Sequence, residues 1–151
     1  MQMIKFIHCA DLHLDSPFKS KSHLSSKIFE DVQKSAYESF KKIVDIALKE
    51  EVDFVLIAGD LFDSNNRTLK AEVFLREQFK RLEREQIFVY ICHGNHDPLS
   101  ANITSEWPDN VSVFSNKVET YQAITKDGET VYLHGFSYQN NESYENKIDD
   151  Y

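Results

Sequence analysis

Two cysteines, three prolines and four glycines in 151 residues rule out several architectures. Cys9 and Cys92 do not make a disulfide framework. So little glycine and proline excludes collagen-like, linker-rich and low-complexity chains. No apolar run approaches the roughly 20 residues of a membrane helix. The first residues, Met1-Gln2-Met3-Ile4-Lys5-Phe6, lack the long apolar region of a signal peptide. A cytoplasmic protein with no membrane association is expected. Basic residues are also short, seventeen against twenty-five acidic, for a net charge of −8. That balance argues against a broad surface tracking nucleic-acid phosphates. A phosphate substrate is still compatible, because bound metal ions reverse the sign of an acidic cleft.

What the chain does have is core material: 41% apolar and 13% aromatic residues, enough to bury the interior of one domain. Met3 to His8 reads as a first strand. Ser16-Pro17 and the following Ser/Lys stretch read as loop, with Lys19, Lys21, His23 and Lys27 a solvated basic run. From Lys27 to Glu50, Ile28, Val32, Ala36, Phe40, Ile43, Ala47 and Leu48 recur at the spacing of one helix face. Val52 to Ala58 is a continuous apolar run, expected of a parallel strand covered on both faces. A second helix spans about Leu69 to Glu85, and Ile87 to Cys92 is a third strand. Right-handed βαβαβ crossovers make these strands parallel neighbours, so their carboxyl ends share one edge. Beyond Pro98 short strands at Val111 to Phe114, Val118 to Ile124 and Thr130 to His134 predict an antiparallel region, with Asp127-Gly128 as a hairpin turn. Both cysteines end apolar strands and read as small core residues.

Three segments carry the chemistry, each after one of the parallel strands. They are Asp11-Leu12-His13, Gly59-Asp60-Leu61-Phe62-Asp63 and Gly94-Asn95-His96-Asp97. Carboxylate, imidazole and amide groups are the ligands of catalytic divalent metals, and the carboxyl edge of an open α/β sheet is where ligands bind. Asp11 and His13 stand two apart, so an extended segment presents both on one side. Gly59 lets the backbone leave its strand tightly, and the Asp60 carboxylate has two oxygens with which to bridge two ions. Asp63 also fits a helix cap. Asn95 offers a neutral carbonyl oxygen, and His96 suits a general acid that Asp63 or Asp97 would orient. The same Gly, Asn and Asp-Pro residues favour a plain turn. His93 and Asp97 are candidates for supporting the ligands or touching substrate, with a structural role the stronger reading for His93. His134 ends a strand and reads as structural.

In this order and spacing the motifs resemble the calcineurin-like metallophosphoesterase superfamily. The strings Phe6 to Phe18, Gly59 to Asp63 and His93 to Leu99 are similar to those of SbcD-type DNA-repair exonucleases, YhaO-like proteins most closely. The resemblance implies a four-layer αββα sandwich with mixed sheets, of which this chain is the amino-terminal portion. It implies two divalent ions, usually Mn2+, one held by Asp11, His13 and the bridging Asp60, the other by Asp60 and Asn95. His96 would protonate the leaving 3′ oxygen, with Asp63 orienting it. DNA is the implied substrate, and an SbcC-like coiled-coil ABC-type ATPase the implied partner; a homodimer is compatible.

The family also completes its site with three further histidines, and no histidine follows His134 here. The expectation is therefore an amino-terminal part, residues 1–138, of a nuclease domain, followed by a polar acidic end, 139–151, that is disordered or a truncated continuation. Such a piece should bind the first metal weakly, the second worse, and turn over little. Two other functions use the same residues. A phosphatase or small-molecule phosphodiesterase would share the metal core, but the protein-phosphatase pattern continues its second motif with Arg-Gly, where this chain has Ser64-Asn65. A non-catalytic module docking an ATPase would not need the intact ligand set.

Overall fold

The structure is a computed structural model that describes residues 3–15, 26–63, 68–101, 106–143 and 146–151. The basic run at Lys19, Lys21 and His23 and the Ser64-Asn65 pair lie outside the described residues. Strand β1 (Phe6–Cys9) leads to helix α1 (Ser26–Lys49), strand β2 (Phe54–Ala58), helix α2 (Leu69–Arg84) and strand β3 (Phe88–Cys92). Strand β4 (Val111–Val113) follows a one-turn 3-10 helix at Leu99–Ala101. Strands β5 (Glu119–Ile124) and β6 (Thr130–Gly135) form a hairpin, and a second 3-10 turn covers Ile148–Asp150.

The first sheet has the order β1-β2-β3-β4 with every pairing parallel. Val111 to Val113 therefore belongs to the parallel sheet, opposite Val89 to Ile91, and not to an antiparallel region. Asn110 explains the entry. Its buried amide donates to the Phe79 carbonyl at 3.2 Å and the Ile87 carbonyl at 2.8 Å, pinning the chain at the start of β3 before β4 begins. β5 and β6 pair antiparallel from Glu119–Gly135 to Ile124–Thr130.

Each face of the parallel sheet has its own core. On one side Phe40, Val44 and Ala47 of α1 meet Leu75, Phe79 and Leu82 of α2 over Val55, Ile57, Val89 and Ile91. On the other, Phe54 and Tyr90 pack with Phe114, Ala123, Tyr121, Val131 and Leu133, so the hairpin lies against the sheet. Helices, parallel sheet and antiparallel pair make three stacked layers, a mixed α/β arrangement. The predicted helix face on α1 shifts slightly. Ile28 is exposed, while Tyr37 and Val44 are buried. Scarcity of glycine shows at the helix ends, where Glu51 (φ 52°) and Gln86 (φ 57°) take the left-handed turn that glycine usually makes.

Candidate metal centre

The three motifs leave β1, β2 and β3 at the same edge, and their backbones continue to pair beyond the strands. The Asp11 N–H donates to the Gly59 carbonyl at 3.1 Å, the His13 N–H to Asp60 at 2.9 Å, and the Gly59 N–H to Cys92 at 2.9 Å. Apolar residues inside the motifs anchor them. Leu14, Leu61 and Phe62 are fully buried, each worth about 1.5–3 kcal/mol of burial, and Leu14 bridges to Phe62. With Leu14, Leu61 and Phe62 turned into the core, Asp11 and His13 are left towards the surface, while Asp60 stays nearly buried.

Asp11, His13 and Asp15 do not lie in extended backbone. All three have positive φ (55°, 42° and 62°), as does Asp60 (52°). Asp and His tolerate this region better than most residues, at a cost of order 1–3 kcal/mol each. Such strain persists where surrounding contacts over-determine the backbone, and here it coincides with the candidate ligands.

His13 Nε2 stands 3.8 Å from Asp11 Oδ1 and 3.7 Å from Asp60 Oδ2, and the three donor atoms lie within 4.8 Å of one another. Donors about 2.1 Å from a shared ion stand about 3–3.6 Å apart, so the two His13 distances exceed that spacing by only a few tenths of an ångström. The donor set, two carboxylates and one imidazole, fits a hard or borderline divalent cation. Asp11 is largely exposed and Asp60 nearly buried, which leaves the group open on one side. The other Asp60 oxygen, Oδ1, accepts the His96 N–H at 3.0 Å. Gly94 makes room for it, because a Cβ there would fall 2.2 Å from Asp60 Oδ1.

The His96 ring meets the His13 ring edge-on, 5.0 Å between centroids, and His96 and Asp63 line one cavity. Asn95 is exposed between Gly94 and His96, its carbonyl bonded by the Asn141 amide at 2.9 Å. Asp97 does not face His96. Its carboxylate is 1% exposed and accepts from Leu61 N–H at 2.8 Å, Gly94 N–H at 2.8 Å and, more loosely, Phe62 N–H at 3.4 Å. It also contacts His93 Nδ1 at 3.0 Å. His93 and Asp97 are buried and join the second and third motifs from beneath. His134 is on the outer hairpin face against Thr120, away from the cluster.

Two supporting groups escaped the sequence reading. Asp15 accepts from the Tyr37 hydroxyl and from Thr68 Oγ1, tying the first motif to α1 and to the cap of α2. Burial, then the bond to Asp15, pushes the Tyr37 phenol well above its ordinary range. Ser137 receives the His93 N–H at 2.9 Å and donates to Phe114 at 2.6 Å. The Asp11-His13-Asp15 alternation was the one available signal for Asp15; nothing in the sequence marked Ser137. Burial raises both thiols, Cys9 and Cys92, to about 11, so they stay protonated at neutral pH and act as core residues rather than ligands.

Parallel strands deliver an acid–imidazole cluster to one edge, backed by an antiparallel layer. The chain matches the calcineurin-like phosphoesterase family over residues 4–150 and belongs to it. It is 49% identical over 138 residues to the uncharacterized metallophosphoesterase YhaO of Bacillus subtilis, covering 90% of this chain and 34% of that protein. It is 30% identical over 149 residues to the DNA double-strand break repair protein Mre11 of Methanocaldococcus jannaschii, covering 95% and 37%. With Mre11 of Sulfurisphaera tokodaii the identity is 33% over 97 residues, covering 64% and 23%. The chain thus spans about a third of the length of YhaO and of the Methanocaldococcus protein. The family is one of phosphoester hydrolases, and Asp11, His13 and Asp60 form a group that could hold a metal ion. No described helix is long and apolar enough to cross a membrane.

Proposed function

We propose that the full-length parent of this chain is a DNA exonuclease of repair, hydrolysing phosphodiester bonds with two divalent ions, Mn2+ by preference, and that the 151-residue portion alone turns over little. The observation that carries the reading is the Asp11–His13–Asp60 donor cluster with the His96 ring against it. Similarity to two DNA double-strand break repair proteins supports DNA as the substrate. Asp11, His13 and Asp60 would hold one ion, and Asp60 with Asn95 the other. Bound divalent ions supply charge neutralisation and water activation for in-line displacement at phosphorus.

The chain's own residues do the rest. His96 holds a proton at its ring and releases it to the leaving oxygen, and Asp63 fixes the ring that carries it. Asp60 Oδ1, bonded to the His96 N–H, couples the position of the acid to that of the bridging ligand. Asp97 and His93 hold the two loops in register. An SbcC-like ABC-type ATPase is the proposed partner, a homodimer the proposed assembly state, and the cytoplasm the proposed location.

The test measures Mn2+ binding, and hydrolysis of linear duplex DNA and of a small chromogenic phosphodiester, for the full-length parent and for its Asp60→Asn and His96→Ala variants. Asp60→Asn should abolish Mn2+ binding. His96→Ala should keep it and lower hydrolysis by about 10² or more. Cleavage of the small ester alone overturns the DNA reading, and unchanged Mn2+ binding by Asp60→Asn overturns the metal site.

A further inference from the structure

A cavity of about 420 Å³ opens between the first motif and α1, within the range of small-molecule sites. It shares His13 and His96 with the metal centre, and Asp63 stands on its wall. Leu12 and Ala36 provide apolar surface, and no lysine or arginine among the described residues lines it. Asp15 and Asp63 place two carboxylates there, so phosphoryl oxygens are disfavoured and an uncharged group is preferred. The wall is fixed: both Asp15 oxygens are engaged, one by Tyr37 and one by Thr68.

Gln33, on α1, faces this space half-buried. Among the described residues nothing hydrogen-bonds its amide. A primary amide carries donors and an acceptor side by side, the pairing that reads the edge of adenine in two bonds. The cavity adjoins the ring assigned to protonate the leaving oxygen, so its occupant is the part of the substrate that carries that oxygen.

We propose that this cavity seats the nucleoside on the leaving-group side of the scissile bond, with Gln33 as the residue that reads its base. The proposal rests on the phosphodiesterase reading given above. It makes phosphate and nucleoside bind separable parts of one surface, the phosphate at the metal and the nucleoside against α1.

Nuclear magnetic resonance on the isotope-labelled chain tests it with two probes, deoxyadenosine and inorganic phosphate. Deoxyadenosine should shift the Gln33 side-chain amide signals without any metal. With Mn2+ added, the nucleoside proton lines and the phosphate ³¹P line should both broaden through proximity to the ion. Gln33→Leu should weaken deoxyadenosine binding about tenfold, the low end of a two-bond base contact, and leave phosphate broadening unchanged. Phosphate broadening without any nucleoside effect overturns the proposal and spares the metal reading. A nucleoside shift at Gln33 with no broadening of either probe when Mn2+ is added supports the cavity and overturns the metal reading. Equal weakening of both probes by Gln33→Leu overturns the proposal.

Discussion

Gly94 shows how much of this site is decided by single atoms. Its backbone is not in the left-handed region, yet an added methyl would sit 2.2 Å from one Asp60 oxygen and 2.9 Å from the Asp60 nitrogen. Gly94→Ala should therefore keep its fold by circular dichroism while its Mn2+ affinity, read by calorimetry, falls at least about tenfold. The thiols give a second prediction. Burial raises Cys9 and Cys92 from 9.0 to about 11. Between pH 9 and 11 the unfolded chain has lost these protons and the folded one has kept them, so stability falls as pH rises. Urea midpoints should drop across that window, and less so in Cys92→Val. The ligating chemistry was legible at this scale because Asp, His and Asn in three strand-end motifs have few other uses in combination. The partner of Asp97 was not, since Asp63 and Asp97 are equivalent on paper. Only the tertiary fold turns Asp97 inward, onto His93 and the loop N–H groups.

Helices and strands with strong periodicity fell where expected, α2 within a residue of its predicted end. Direction was harder than existence. A strand of three residues, Val111–Val113, carries no mark of being parallel, and its placement depends on the buried Asn110 amide. Left-handed residues at Asp11 and His13 were likewise hidden, because their spacing reads equally well as extended chain. The junction of elements at Thr68 gives a prediction of its own. Thr68 caps α2 by accepting the Ala71 N–H at 3.2 Å and also donates to Asp15. Thr68→Ala should cost about 1 kcal/mol or somewhat more, seen as a lower urea midpoint. Thr68→Ser should recover most of it.

On the scale of the whole molecule, the net charge is −8, and Asp11 and Asp60 add two carboxylates to one imidazole. A divalent ion binding only the folded state at a hundred times its Kd adds about 2.7 kcal/mol of stability. For a chain of this size that raises the melting temperature by roughly 5–10 °C. Mn2+ should produce this shift, a chelator should reverse it, and Asp60→Asn should be insensitive to both. A parallel half followed by an antiparallel hairpin was readable from βαβαβ order and the later turn signal, whereas the way the two sheets close on each other was not. One feature bears on how the protein meets its ion. The loops bearing the ligands are laced together by main-chain bonds from Asp11 to Gly59, His13 to Asp60 and Gly59 to Cys92. Their ordering entropy is therefore spent during folding, before any ion arrives. Capture of the metal then resembles a key meeting a cut lock, with rates set by diffusion and dehydration of the ion rather than by loop rearrangement.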